Sequence, residues 1–168
     1  MNDKLEMWLR GPVADIPALL QPAAHALLQS LLEIKKYTAD LPEELIHTKP
    51  YGRASVAFHL KHITGVLDRL MTYSKGEALS KDQLEYLKNE GNSSENDQIQ
   101  SLITAFEAKV NEALALFKIT AQDTLTEKRY VGRKKLPSTL IGLFFHAAEH
   151  SQRHVGQLLV TVTFLKAQ

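Results

Sequence analysis

Histidine is the residue type through which this sequence could do chemistry. Five of its seven histidines fall into two short segments, and the sequence contains no cysteine. The first segment holds His59 and His62, and the second holds His146, His150 and His154. A neutral imidazole is a good ligand for borderline divalent cations such as Zn²⁺ and Ni²⁺. The lack of cysteine excludes thiolate metal sites, a disulfide framework and cysteine-based catalysis.

The second segment has the spacing of a helical metal-binding motif. Residues four apart lie one turn apart on a helix, with side chains about 6 Å from each other, so the two imidazoles of such a pair can bind one ion. The series His146, His150 and His154 contains two such pairs, but its ends lie about 12 Å apart along the axis. One ion therefore cannot bind all three, and periodicity leaves both pairs open. His150 and His154 border the apolar face of the predicted helix, which favours an inward-facing site.

The first segment could supply the remaining ligand. The apolar face of the helix predicted there consists of Val56, Ile63, Val66, Leu67 and Leu70. His59 points into this face and His62 lies at its edge. Periodicity alone does not choose between the two.

Other polar residues near the second segment have structural as well as functional interpretations. Gln157 lies on the histidine side of the predicted helix, where it could orient a ligand or a water. Glu149 and Arg153 lie farther round, and we expect salt bridges between helices from them rather than catalysis. We expect His25, which stands alone, to be a hydrogen-bonded core residue. The sequence shows no Ser-His-Asp arrangement and no phosphate-binding loop.

Four long amphipathic helices are predicted to position the histidines. Apolar residues recur at helical spacing over 23–41, 56–73, 96–118 and 138–165. Pro22 suits the first helical position, and Pro42 ends the first helix. Ser55 is a good N-cap for the second helix.

The segments between the helices are predicted to be short or irregular. Closely spaced prolines make 1–21 an irregular segment packed on the bundle. Ser80 is predicted to cap a short helix over 81–89. Residues 119–138 are predicted to be a connection without strands. The fold class is therefore all-α, a helix bundle formed by one domain over 1–168.

Composition limits the function further. The chain has 168 residues, 44% of them hydrophobic and 23% charged, and its net charge is +1. No strong field attracts nucleic acid or an anionic membrane, so neither is an expected partner. No apolar run is long enough to span a bilayer, and the first residues lack the basic-then-apolar order of a signal peptide. We expect a cytoplasmic protein.

Segments 54–73 and 142–157 together resemble the DinB-like (DinB/YfiT-like) family of metal-dependent proteins. The likeness spans nearly the whole chain, including Val131-Gly132-Arg133 and Leu136-Pro137 before the last helix. The resemblance implies a four-helix bundle with a long crossover connection.

The resemblance also selects a ligand set. In the family, one ligand follows about seven residues after the small or hydroxyl residue that starts the second helix, which is His62 after Ser55. The other two come from a final His-x-x-x-His before Gly-Gln, which matches His150 and His154. His59 and His146 are additional; they line the cavity, contact the ligands from outside, or replace one of them.

Family relatives include transferases and isomerases that use bacillithiol, mycothiol or glutathione. The resemblance therefore implies a divalent cofactor, Zn²⁺ or Ni²⁺, and a small-molecule substrate. The first hypothesis is a metal-dependent transferase acting on a low-molecular-weight thiol, or a related hydrolase. The second is a metal-binding or stress-response module without catalysis, working as a homodimer. The third is a set of hydrogen-bonded histidines without metal.

Overall fold

The chain folds as a bundle of four long helices with one short helix added. The computed structural model describes residues 5–167, so residues 1–4 and 168 of the predicted domain, including the start of its irregular N-terminal segment, lie outside the described residues. The helices are α1 (Gln21–Thr38), α2 (Val56–Ser74), α3 (Lys81–Asn89), α4 (Ile99–Ile119) and α5 (Leu140–Lys166). The predicted all-α bundle is confirmed, and each helix lies within a few residues of its predicted range.

The order of the helices around the bundle brings the two histidine segments side by side. α1 and α2 each pack against both α4 and α5, so α1 and α2 are diagonal partners. Residues 39–55 therefore cross one end of the bundle, which confirms the long crossover connection. Because α2 and α5 are neighbours, side chains on their facing surfaces meet.

The core is apolar wherever these helices face one another. Its fully buried large side chains include Leu27, Leu60, Phe106, Phe117, Phe144 and Leu158. The rings of Phe117 and Phe144 pack with their centroids 4.7 Å apart, which joins α4 to α5. Each such buried side chain contributes about 1.5–3 kcal/mol relative to leaving it exposed.

Side-chain caps fix where the helices that carry or support the histidines begin. The Ser55 hydroxyl accepts from the Phe58 amide, and the Thr139 hydroxyl accepts from the Gly142 amide. Ser80 begins α3 with a reciprocal capping box. The caps predicted at Ser55 and Ser80 are confirmed, and the cap at Ser55 places His59 within the first two turns of α2.

The prediction that 119–138 lacks strands is wrong. Strands β1 (Lys128–Val131) and β2 (Leu136–Thr139) form an antiparallel hairpin, with Lys128 opposite Thr139. The turn contains Gly132 at φ 69°, a left-handed conformation that glycine adopts without strain. Strands of four residues are too short for a clear alternation signal, which is why periodicity missed them.

The N-terminal segment is only partly irregular. It contains two short 3-10 helices, Met7–Arg10 and Ala18–Leu20. Ile16 and Leu20 are buried against the bundle. Among the helices of residues 5–167, none is long and apolar enough to cross a membrane.

The short helix α3 approaches α2 closely at Gly65. The Tyr86 hydroxyl donates to the Lys61 carbonyl at 2.9 Å, so the Tyr86 ring lies across the α2 backbone. A Cβ on Gly65 would lie 2.6 Å from Tyr86 Cε1 and 2.6 Å from Arg69 Nη1. Only a residue without a side chain fits there.

Gly65→Ala should therefore destabilise the protein. Overpacking against Tyr86 costs about 1–3 kcal/mol, which outweighs the gain of about 1 kcal/mol in helix propensity. Gly156→Ala is the matched control, because a Cβ on this helical glycine meets nothing within 4 Å. In urea unfolding, we expect Gly65→Ala to be less stable than wild type and Gly156→Ala to be more stable. The reverse order would contradict the close approach of α3.

Candidate metal centre

Three imidazoles converge between α2 and α5. His62, His150 and His154 each offer a ring nitrogen, and these nitrogens lie within 4.8 Å of one another. Nε2 of His62 is 3.0 Å from Nε2 of His150. The three ring centroids are 4.6–5.1 Å apart. These are the residues that the family resemblance selected.

The arrangement fits a divalent cation. Nitrogen ligands at about 2.0–2.1 Å from a tetrahedral Zn²⁺ lie about 3.3 Å from each other, which is close to the separation of the two Nε2 atoms. Small movements of the rings would allow all three nitrogens to bind one ion. Three ligands also leave a fourth position open, as catalytic zinc sites do.

Neighbouring helices hold the three rings in place. His150 and His154 lie one turn apart on α5, and His62 faces them from α2. The Phe58 ring stacks on His62 with a centroid distance of 5.2 Å and an interplanar angle of 14°. The three histidines are half-buried, so the site is accessible to solvent.

Glu90 is the acidic partner of His62. The residue directly follows α3 and is buried, with 7% of its surface exposed. His62 Nδ1 donates to Glu90 Oε1 at 2.6 Å, and Arg69 Nη1 donates to Glu90 Oε2 at 3.1 Å. Because His62 carries its proton on Nδ1, its Nε2 lone pair points into the site.

The charge of Glu90 is maintained despite burial. Burial alone would raise the pKa of this carboxyl, but the hydrogen bond from His62 and the charge of Arg69 outweigh it and lower the pKa below its ordinary value. An ionised carboxylate makes the His62 imidazole a stronger electron donor. Glu90 therefore orients His62 and supports it as a ligand.

His59 contacts the site from the interior. Its ring is buried, with 2% of the residue surface exposed, and its Nδ1 is 3.0 Å from Nδ1 of His154. If His154 offers Nε2 to an ion, its Nδ1–H donates to His59. The structure thus places His59 against the outer nitrogen of His154 and places His62 among the converging nitrogens.

Three of the clustered histidines, His59, His150 and His154, are held neutral. Burial first, and then the neighbouring imidazoles, lower the pKa values of His59, His150 and His154 to about 4. Arg153 lowers the pKa values of His150 and His154 further. At neutral pH these imidazoles are therefore uncharged, and each has one ring nitrogen with a lone pair.

The remaining predicted residues lie at the mouth of the site or outside it. His146 is exposed, and its Nδ1 donates to Glu149 Oε1 at 2.7 Å. His146, Glu149 and His150 form a second group with ligand atoms within 4.8 Å of one another. Gln157 is exposed, and the structure of residues 5–167 records no hydrogen bond of its side chain.

The expectation that Glu149 and Arg153 form salt bridges between helices is wrong. They pair with each other at 3.2 Å, four residues apart on α5. Arg153 Nη2 also lies 2.8 Å from Nδ1 of His150. Helical periodicity placed the two residues on the outer side of α5, and there they reach each other before they reach another helix.

His25 and His47 lie away from the site. His25 Nε2 contacts the Gly11 carbonyl at 3.0 Å, so the hydrogen bond expected of it is present, but His25 is half-buried and not a core residue. His47 Nε2 contacts the Ser94 carbonyl at 3.3 Å.

The role of Glu90 at the site was not predicted from the sequence. Glu90 lies in the connection after α3 and meets His62 across 28 residues of sequence, so no helical spacing relates the two. Arg69 forms the second ion pair of Glu90.

Comparison with known proteins identifies the family of the chain. Residues 26–158 match the sequence profile of the DinB superfamily. The chain belongs to the DinB superfamily. Among curated proteins, none matches the sequence.

A solved structure has the same fold. The crystal structure of a Streptococcus pneumoniae protein, a structural-genomics target, superposes with a TM-score of 0.66 at 13% identity and covers 88% of this chain and 90% of its own. At this identity the likeness concerns the fold alone. Together, membership of the superfamily and the histidine cluster make this a DinB protein with residues that could hold a metal ion.

Glu90→Gln should weaken metal binding. The substitution keeps the size of the side chain but removes the charge that supports His62, so we expect affinity for Zn²⁺ to fall by about 10–100-fold. Competition with a chromophoric chelator measures the affinity. Glu85→Gln is the matched control, because Glu85 lies on the exposed face of α3 and contacts only Asn89. Equal affinities for both variants would contradict the supporting role of Glu90.

The metal-free protein should lose stability on acidification. The pKa of His59 is about 4 in the folded protein against an ordinary 6.5, so between these values the unfolded chain binds more protons. The stability linked to this residue is therefore fully present above pH 6.5 and declines as the pH falls towards 4. In thermal unfolding between pH 7 and about pH 4.5, His59→Gln should lose less stability than wild type. Parallel pH profiles would contradict this assignment.

Proposed function

We propose that the chain binds one divalent cation through His62, His150 and His154 and acts as a metal-dependent transferase on a low-molecular-weight thiol. The observation that carries this proposal is the convergence of three imidazole nitrogens, an arrangement that leaves a fourth position open on a tetrahedral ion. Nitrogen-only ligand sets of this kind suit Zn²⁺ or Ni²⁺.

The residues of the chain have distinct tasks at such a site. Glu90 holds His62 in the Nδ1–H tautomer, and His59 can accept from Nδ1 of His154. Phe58 covers one face of His62 and limits the access of water there. A bound cation would supply Lewis acidity, which lowers the pKa of a coordinated thiol or water.

A thiol is the favoured substrate for two reasons. The protein has no cysteine, so a thiol that takes part in the chemistry has to come from a substrate. The DinB-like family that the sequence resembles also includes thiol-dependent transferases. The open position would accept a thiolate sulfur, which is a good ligand for Zn²⁺. A hydrolase that uses water at the same position is the related alternative.

The proposal is tested with the Co²⁺-loaded protein, purified without a nickel column. Titration with 2-mercaptoethanol, cysteine or glutathione should produce a sulfur-to-cobalt charge-transfer band in the near ultraviolet, because a thiolate enters the open position. His150→Ala removes one of three ligands and should abolish tight Co²⁺ binding. His25→Ala should bind Co²⁺ and thiol as wild type does, because His25 lies away from the site and its ring hydrogen-bonds to the Gly11 carbonyl.

The outcomes separate the three hypotheses. Metal binding without any thiol band, and without turnover of the thiol with electrophiles, would refute the transferase and leave a metal-binding module. Stoichiometric metal in His150→Ala would refute the ligand set. A wild-type protein that stays metal-free on titration with Zn²⁺, Ni²⁺ and Co²⁺ would leave hydrogen-bonded histidines without a cofactor.

A further inference from the structure

The three converging histidines differ in the partner of their outer nitrogen. Nδ1 of His62 meets the Glu90 carboxylate, which accepts a hydrogen bond. Nδ1 of His154 meets His59, whose imidazole can accept or donate. Nδ1 of His150 meets Nη2 of Arg153 at 2.8 Å. A guanidinium only donates, so His150 is the one histidine of the three whose partner cannot accept.

This difference fixes where the protons lie in the metal-free protein. Arg153 donates to Nδ1 of His150, so the neutral ring of His150 carries its proton on Nε2. That Nε2–H donates to Nε2 of His62 at 3.0 Å. His62 in turn donates from Nδ1 to Glu90. The hydrogen bonds therefore all run in one direction, from Arg153 to Glu90.

Metal binding at His150 is incompatible with this arrangement. The Nε2 atom of His150 faces the other ligands, and it can bind a cation only through a free lone pair. The single proton of the neutral ring must then lie on Nδ1, where it opposes the N–H of Arg153. The positive charge of Arg153 also repels a cation bound to the same imidazole. His62 and His154 need no comparable change.

We propose that Arg153 releases His150 when the site is loaded with metal and then binds a carboxylate of the thiol substrate. This inference rests on the proposed function, because the thiol is the ligand whose carboxylate Arg153 would bind. The side chain of Arg153 is 52% exposed, so it can move without disturbing the core. After release it stays within reach of any ligand held at the open position beside His150.

The chemistry of the guanidinium favours a carboxylate as its new partner. The planar group of Arg153 presents paired N–H donors that match the two oxygens of a carboxylate. Arg153 already contacts the Glu149 carboxylate at 3.2 Å, so the mouth of the site accommodates such a pair. The structure thus favours an acidic thiol over a neutral one.

The first test measures metal affinity without any thiol. Arg153→Met removes both the competing hydrogen bond and the positive charge, so we expect Zn²⁺ affinity to rise by about tenfold. Arg133→Met, in the exposed hairpin turn, should leave the affinity unchanged. Arg153→Met also removes the ion-pair partner of Glu149, so the double variant Arg153→Met with Glu149→Gln is measured too. It should show the same increase in Zn²⁺ affinity.

Unchanged or weaker Zn²⁺ binding by Arg153→Met would overturn the release of His150. Loss of the increased affinity in the double variant would also overturn it.

The second test compares 3-mercaptopropionate with 3-mercapto-1-propanol, which differ in the carboxylate. On the Co²⁺-loaded wild type, we expect the charge-transfer band to saturate at a concentration of the acid about tenfold lower than that of the alcohol. Arg153→Met should bind both thiols alike, and Arg133→Met should discriminate as wild type does. Equal binding of the two thiols by wild type would overturn the carboxylate receptor while leaving the proposed function intact. Binding of neither thiol would overturn both, and the metal-affinity test would still decide the release of His150.

Discussion

The interaction on which the structure depends is the contact between α2 and α5, because it encloses polar rings within an apolar bundle. An imidazole removed from water needs a partner for each ring nitrogen, and an unpaired one costs about 1–3 kcal/mol. The recorded partners of these nitrogens are other histidines, Glu90 and Arg153. The polar network in turn specifies how the two helices face each other.

The short helix α3 belongs to the same network, although the bundle itself does not need it. Gly65 lets Tyr86 lie against α2, and this contact brings the end of α3 to His62. Glu90 follows directly and is buried between His62 and Arg69. The connection between α2 and α4 therefore contributes to the site. It contains the only carboxylate among the described residues that hydrogen-bonds to His62.

Much of the fold could be predicted from the sequence, because long amphipathic helices with good caps repeat their signal over many turns. Strands of four residues are too short to repeat a signal in this way, so the hairpin of β1 and β2 was not predicted. Helical spacing predicts that His150 shares an ion with a histidine four residues away. The choice of His154 over His146, like that of His62 over His59, needed a family resemblance. Glu90 and the position of Arg153 depend on tertiary contacts that no local pattern encodes.

The position of the histidines along the chain has a consequence for folding. His62 and His150 are 88 residues apart in sequence, yet their Nε2 atoms are 3.0 Å apart in space. A cation held by both would act as a reversible crosslink that closes a long loop of the chain. Loop closure restricts the unfolded ensemble, and a ligand that prefers the native state stabilises that state. The free energy of unfolding would therefore rise with the concentration of free metal.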